Sequence, residues 1–421
     1  MPDARKPTDE ELQRLTRRAV AEIVPEAELI PALKAGKHLR IKMGFDPTVP
    51  KITLGWAVGL RKLRQFQDLG HTIVVIVGDW TARIGDPSGK SETRPMLSEE
   101  TVRENSEAIL RQFFKILDPE RTEIHRQTEW FNDFSLTDVV RLTARFTVAQ
   151  LLERDDFANR FAGQEPIGVH ELLYPLLQGY DSVAIEADVE FGGTDQKFNI
   201  LVGRELQGDM GLRCGPAGNG QAVLLVPLIV GLDGYKKMSQ SLGNFIAIDE
   251  APAEMYGKLM SAPDHVIGDY FEMLTDVPDD EVATIRESVT SGGAQARDSK
   301  MRLAREIVAQ FHDEAAAREA EEAFVRTFSK RELPQDVPER AISFASAREE
   351  AGQDANGEVK LPWLLTHLAM TPSASEATRL IKARAVEVDG VVVSEPRVPL
   401  RDGMVIRVGK HRFVRVRDAA G

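Results

Sequence analysis

Apolar runs alternate with helical periodicities along the first half of the chain. LRIKMGF, Leu39 to Phe45, is apolar enough for a buried strand. From Gly55 to Leu69 the spacing turns helical, with Leu60, Leu63 and Phe66 on one side and Gly70 placed to close the helix. TIVVIVG, Thr72 to Gly78, is again continuously apolar, as a strand buried on both faces of a parallel sheet must be. Strand, helix, strand over this length predicts a βαβ unit. A second set follows in VAIEADVEFGG, a helix from about Asp195 to Gln207, and AVLLVPLIV. Two such halves predict an open, doubly wound α/β sheet, with ligands beyond the C-terminal strand ends where the halves meet. Residues 8–24 read as an amphipathic helix, about 98–180 as a helical insertion, and 242–328 as further helices. The polar stretch 331–359, with Pro334, Pro338, Gly352 and Gly357, reads as a linker. Beyond it the pattern changes to LPWLLTHLAM, a helix ATRLIKARAV, and short alternating runs. The expected domains are 1–235, 236–330 and 360–421, the last two helical and α+β respectively.

Composition changes this picture in one respect. The net charge of −13 argues against nucleic acid, but residues 360–421 carry eleven Lys and Arg against six Asp and Glu. An acidic body with a basic tail is a different object from a uniformly acidic protein. The single cysteine, Cys214, allows no intrachain disulfide and fits a reducing compartment. MPDARKPTDEELQR has no apolar core of a signal peptide, and the longest apolar run, Ala222 to Leu232, is too short to span a bilayer.

Three segments carry candidate chemistry. GDPSGKS, Gly85 to Ser91, has three residues between its glycines where a phosphate loop needs four, so Asp86 is better cast as a carboxylate for a cationic group. In FGGTDQKFNI, Gly192 and Gly193 permit close backbone approach by a ligand. Asp195 and Gln196 follow at a helix start, where they would bind ribose and a polar substrate or serve only as cap and turn. In ELLYPLLQGYDS, Tyr174 and Gln178 stack at i and i+4, with Asp181 about one turn on. They form either a polar pocket or a partly exposed packing face.

FDPTVP, QFQDLGHT, IGDPSGKSETRP, VVRLTARFTVAQLLERDDF, the run from HELLYPLLQGYDS to GGTDQKFNILVGRELQ, and PLIVGLDGYKKMSQSLGN together resemble tyrosyl-tRNA synthetases over about residues 8–417. The tail resembles the S4-type RNA-binding domain of the bacterial enzymes. The resemblance implies a Rossmann-like catalytic domain and the joining of L-tyrosine to tRNA(Tyr) through tyrosyl-adenylate. It also implies ATP as substrate, Mg2+ with the ATP, no permanently bound metal, a homodimer and a cytoplasmic, non-membrane protein. Lys42 and Asp181 would hold the tyrosine hydroxyl; Asp86, Tyr174 and Gln178 the α-ammonium; Gln196 the carboxylate side. Asp46 would close the cleft and Gly44 give backbone room. Gly192, Gly193 and Asp195 would face the ribose, and Gly55 the adenine. In the tail, Arg379, Lys382, Arg384, Lys410 and Arg412 would contact RNA phosphates.

The catalytic signatures depart from the family. Where it carries HIGH or HLGH, this chain has Thr53, Leu54, Gly55 and Trp56. Where it carries KMSKS, Lys237 remains and Gln240 replaces the second lysine. Thr48, Thr53, Lys237 and Gln240 would then face the ATP phosphates, and Trp56 would fill part of the nucleotide slot. Two functions fit: a tyrosine–tRNA ligase with altered signatures, or a relative that binds tyrosine or a derivative, and RNA, without efficient adenylation.

Overall fold

A computed structural model of the chain describes residues 4–84, 97–329, 337–352, 354, 357–409 and 412–419. The chain divides into two compact units, Met1–Ala317 and Arg318–Gly421.

The first unit is built on a six-stranded sheet. Its strands are β1 (Glu22–Val24), β2 (Arg40–Phe45), β3 (Thr72–Val77), β4 (Thr122–Arg126), β5 (Val189–Gly193) and β6 (Ala222–Val226), in the order β1-β6-β5-β2-β3-β4. β2 to β6 run parallel; β1 is an antiparallel edge on β6. Ile73 to Val77 are all fully buried, which explains why β3 has no polar alternation. The two halves meet between β2 and β5, so the sheet reverses its winding there and opens a crevice at Phe45 and Gly193.

The helix Leu54–Asp68 leaves the sheet directly after β2. Thr53 is its N-cap, Leu60, Leu63 and Phe66 are fully buried, and Gly70 takes the left-handed conformation just beyond its end (φ +95°). The helices Val169–Ala184 and Lys197–Asp209 flank β5 and pack against each other. Helices from Pro252 to Phe324 follow β6.

Two strands were hidden in stretches read as helix. The amphipathic segment 8–24 contains the helix Asp9–Thr16, closed by a capping box of Thr8 and Glu11, and then β1. The insertion contains β4, whose TEIHR has no apolar run because it is the outer strand on β3.

In the second unit, β10 (Val391–Val392), β9 (Val386–Val388), β12 (Val405–Val408), β13 (Arg412–Asp418) and β7 (Glu339–Ile342) form one sheet, and β8 (Glu358–Lys360) pairs with β11 (Arg397–Pro399). Leu361, Leu364, Ala377, Val386 and Val416 are among its fully buried core residues. The stretch read as a linker is therefore partly structured: β7 adds to β13 in parallel, and the helix Phe344–Glu350 buries Phe344 and Ala347 in this core. The polar composition concealed this because β7 is an edge strand with three of its four residues exposed.

Candidate active site

The crevice at the switch point is a cavity of about 860 Å3, lined from β2, the start of the Leu54 helix, the Val169 helix, the end of β5 and the loop after β6. The sequence-derived site residues converge on it. Asp46, Tyr174, Gln178, Asp181 and Gln196 line it. Around its mouth stand Gly44, Thr48, Thr53, Gly55, Trp56, Gly192, Gly193, Asp195, Lys237 and Gln240. Asp86 and Lys410 lie outside the described residues.

A chain of hydrogen bonds spans the floor. Tyr174 donates its hydroxyl to Asp46 Oδ2 at 2.9 Å, and Thr81 donates to Asp46 Oδ1 at 2.7 Å. Gln127 Oε1 accepts from the Thr81 amide at 2.9 Å, while its Nε2 donates to both Asp181 oxygens at 3.2 and 2.9 Å. Gly78 has to lack a side chain, because a Cβ there would stand 2.2 Å from Asp46 Oδ1. Thr81 and Gln127 were not found from the sequence. Gln127 sits at the end of the unrecognised β4, and its partners are 46 and 54 residues away. Asn199, also missed, donates to Gln178 Oε1 at 3.1 Å and Gln196 Oε1 at 3.2 Å, which orients both amides.

Asp181 is fully buried, and burial pushes its carboxyl up from 3.8 to about 7, offset in part by the Lys42 charge and the Gln127 hydrogen bond. The folded chain therefore holds this proton between about pH 4 and 7, where the unfolded chain has lost it. Stability from this group is full below pH 4 and is lost as pH rises through about 7. His71, whose imidazole is held down to about 4 by burial, acts in the opposite sense over much of this range. The stability difference between the native chain and Asp181→Asn, read by urea titration, should therefore fall by roughly 1 kcal/mol per pH unit as pH rises across it.

Lys42 is placed differently from the expectation. Its side chain is wholly buried behind the cavity wall. The ammonium donates to Glu190 Oε1 at 2.8 Å, Ser182 Oγ at 2.8 Å and the Gln178 carbonyl at 3.0 Å. Lys42 and Glu190 are cross-strand partners on β2 and β5, so sheet register makes the pair. Ser182 and Gln221 donate to the other Glu190 oxygen at 2.8 and 2.6 Å. Gln178 Nε2 also donates to Glu190 Oε1 at 3.3 Å, so four donors surround a carboxylate whose partner already has its own bonds filled, leaving the lysine to support the pocket from behind.

At the mouth, the altered signature residues are engaged with their neighbours. Thr53 Oγ accepts from the Gly55 amide at 3.2 Å, so it serves as a helix cap. Trp56 packs its ring against the buried Phe113 with centroids 5.9 Å apart, and presents its remaining surface to the cavity. Lys237 Nζ pairs with Asp195 Oδ2 at 2.8 Å, and Gln240 donates its amide to the Lys51 carbonyl. Asn244 pins this loop, accepting from the Ser239 amide at 2.9 Å and donating to Asp233 at 2.8 Å.

In the second unit, Arg379, Lys382 and Arg384 are exposed on or beside the helix Ala374–Lys382. Arg412 donates to the Met370 carbonyl. Arg407, Arg415 and Arg417, the other arginines on β12 and β13, are drawn into pairs. Arg407 meets Glu387 at 3.2 Å, Arg417 meets Glu339 at 2.7 Å, and Arg415 meets Glu339 at 3.7 Å.

Comparison with known proteins assigns this arrangement. The family model described as tRNA synthetases class I (W and Y) matches residues 34–329, and the S4 domain model matches 363–406. The chain is 49% identical over 409 residues to the tyrosine–tRNA ligase of Moorella thermoacetica, covering 96% of this chain and 95% of that one. It is 47% identical over 401 residues to tyrosine–tRNA ligase 2 of Vibrio vulnificus, covering 95% and 96%. Among solved structures, a truncated mitochondrial tyrosyl-tRNA synthetase from Aspergillus nidulans shares the fold with a TM-score of 0.62 at 22% identity, over 76% of this chain and 94% of that one. The tyrosyl-tRNA synthetase from Archaeoglobus fulgidus gives 0.59 at 24%, over 74% and 99%. The chain belongs to the class I tyrosyl-tRNA synthetases and ends in an S4 RNA-binding domain.

Proposed function

We propose that the chain is a tyrosine–tRNA ligase, activating L-tyrosine with ATP and transferring it to tRNA(Tyr). The observation that carries this is the hydrogen-bonded chain from Tyr174 through Asp46, Thr81 and Gln127 to Asp181, which sets carboxylate acceptors Asp46 and Asp181 along one cavity with room for both an amino acid and a nucleotide. Asp181 accepts from the phenol, most strongly as a carboxylate above about pH 7. Tyr174, Gln178 and Asp86 hold the ammonium, and Gln196 orients the carboxylate. Gly192, Gly193 and Asp195 take the ribose, Gly44 and Gly55 admit the nucleotide, and Trp56 narrows its slot.

The tyrosine carboxylate attacks the α-phosphorus, and the bond to the bridging oxygen breaks with its electron pair leaving on pyrophosphate. A terminal ribose hydroxyl of the tRNA then attacks the adenylate carbonyl, and AMP leaves. The protein contributes position and charge stabilisation, not covalent bonds. Thr48, Thr53, Lys237 and Gln240 face the phosphates. Mg2+ enters with ATP; among the described residues no cluster of three His, Cys, Asp or Glu side chains stands ready to hold it alone. ATP-dependent esterification of labelled tyrosine to tRNA(Tyr) tests this reading, and no esterification at any enzyme concentration would refute it.

The chain works as a homodimer in this reading. Leu136, Val148, Phe161 and Val169 are 79%, 61%, 66% and 76% exposed, all within the helical insertion, a density of exposed large apolar side chains that suits a subunit interface. No described helix is long and apolar enough to cross a membrane, and the reading places the chain in the cytoplasm with its tRNA. The second unit binds tRNA by phosphate contacts through Arg379, Lys382 and Arg384, with Arg412 and Lys410. Because β7 belongs to that unit, the truncation that tests it removes residues from 337 onward. The truncated chain should keep tyrosine affinity and lose at least about tenfold in tRNA affinity at 150 mM salt. Filter binding at several salt concentrations reads this directly.

A further inference from the structure

We infer that Lys51 is a phosphate-contacting residue of this chain, supplying at the cavity mouth the positive charge that Gln240 does not. The inference rests on the adenylation reading above. Pyrophosphate takes up an electron pair as it leaves, so the reaction requires cations that reach it from the mouth. Among the described residues lining the cavity, the cations are Lys51, Arg83 and Lys237. Two are engaged by close partners: Lys237 with Asp195 at 2.8 Å, and Arg83 with Glu99 at 2.7 Å. Among the described residues Lys51 meets only Asp249, at 3.9 Å, and its side chain is 53% exposed. A pair that long and that wet holds a lysine weakly, so a polyphosphate displaces it at small cost.

The backbone of residue 51 is tied to the altered loop, because Gln240 donates its side-chain amide to the Lys51 carbonyl. The residue that has no charge therefore fixes the position of the one that does. Lys51 also lies two residues before Thr53, the cap of the Leu54 helix, which places it beside the N-terminal end of that helix. In the step itself the α-phosphorus to bridging-oxygen bond breaks and the charge develops on pyrophosphate. The Lys51 ammonium stabilises that charge and transfers no proton.

The experiment compares native chain, Lys51→Ala, Lys51→Arg and Lys51→Ala/Gln240→Lys in tyrosine-dependent pyrophosphate exchange. Lys51→Ala should slow exchange by at least about tenfold with tyrosine affinity unchanged, and Lys51→Arg should retain most of the rate. The double variant should recover most of the loss, which a merely structural role for residue 51 would not produce. Exchange by Lys51→Ala at the native rate, or a double variant as slow as Lys51→Ala, overturns the inference. Calorimetric binding of inorganic tripolyphosphate separates this inference from the adenylation reading. If the native chain shows no exchange but Lys51→Ala still weakens tripolyphosphate binding, only that reading falls; if binding is also unchanged, the Lys51 assignment falls with it.

Discussion

Thr53→His, Trp56→His and Gln240→Lys, introduced together, are expected to raise the rate of tyrosyl-adenylate formation by about 10²–10⁴-fold. The lower bound corresponds to one preorganised donor regained; the upper bound counts two, since groups within one site do not add. Each change has a structural basis. Thr53 spends its oxygen on the Gly55 amide, a cap that leaves a short neutral hydroxyl where the family places an imidazole. Trp56 leans on Phe113 and lends its remaining face to the cavity. Gln240 is neutral and bonded to the Lys51 carbonyl. The floor residues are untouched by these changes, so tyrosine affinity should stay within about twofold while the rate rises. Rapid-quench measurement of adenylate at saturating tyrosine separates the two quantities. A rise in affinity with no rise in rate would mean the signature residues act through the pocket and not through the phosphates.

Glu190→Gln is expected to destabilise the first unit by about 3–5 kcal/mol, because it removes the carboxylate bonded directly to the buried Lys42 ammonium. Lys42 and Glu190 are 0% and 1% exposed, so water cannot take the place of the missing carboxylate. Lys42→Met combined with Glu190→Gln should recover much of the loss, since removing both charges also removes the desolvation cost. The two single variants and the double, compared by urea unfolding, close the cycle. The pair also braces the pocket. Lys42 bonds the Gln178 carbonyl and Ser182, and Ser182 adjoins Asp181 on the Val169 helix. Glu190→Gln should therefore weaken tyrosine binding even at temperatures where the unit stays folded.

The sequence made the central βαβ unit plain because β3 has an uninterrupted apolar run and β2 keeps Ile41, Met43 and Phe45 apolar around the buried Lys42. β4 and β1 stayed hidden for opposite physical reasons. β4 is an outer strand and keeps polar residues on both faces; β1 is three residues long and carries no period at all. Within the site, helical spacing was enough to place Tyr174, Gln178 and Asp181 together, and the glycine pair at the end of β5 marked the edge of the cavity. Thr81 and Gln127 had no such signal, since what makes them matter is contact between distant strand ends. Lys42 was found as a site residue but assigned to the substrate, because its partner lies 148 residues away and only sheet register reveals it. The same limit applies in the second unit, where Glu339 in an apparent linker claims Arg417.

The proposed function carries one central claim: tyrosine recognition is retained while the altered phosphate side slows activation. Magnesium-dependent exchange of labelled pyrophosphate into ATP, with and without tyrosine, tests it most directly. The expected result is exchange that is slow, strictly tyrosine-dependent, and accelerated in the Thr53→His/Trp56→His/Gln240→Lys variant. No exchange in folded protein that binds tyrosine would contradict it.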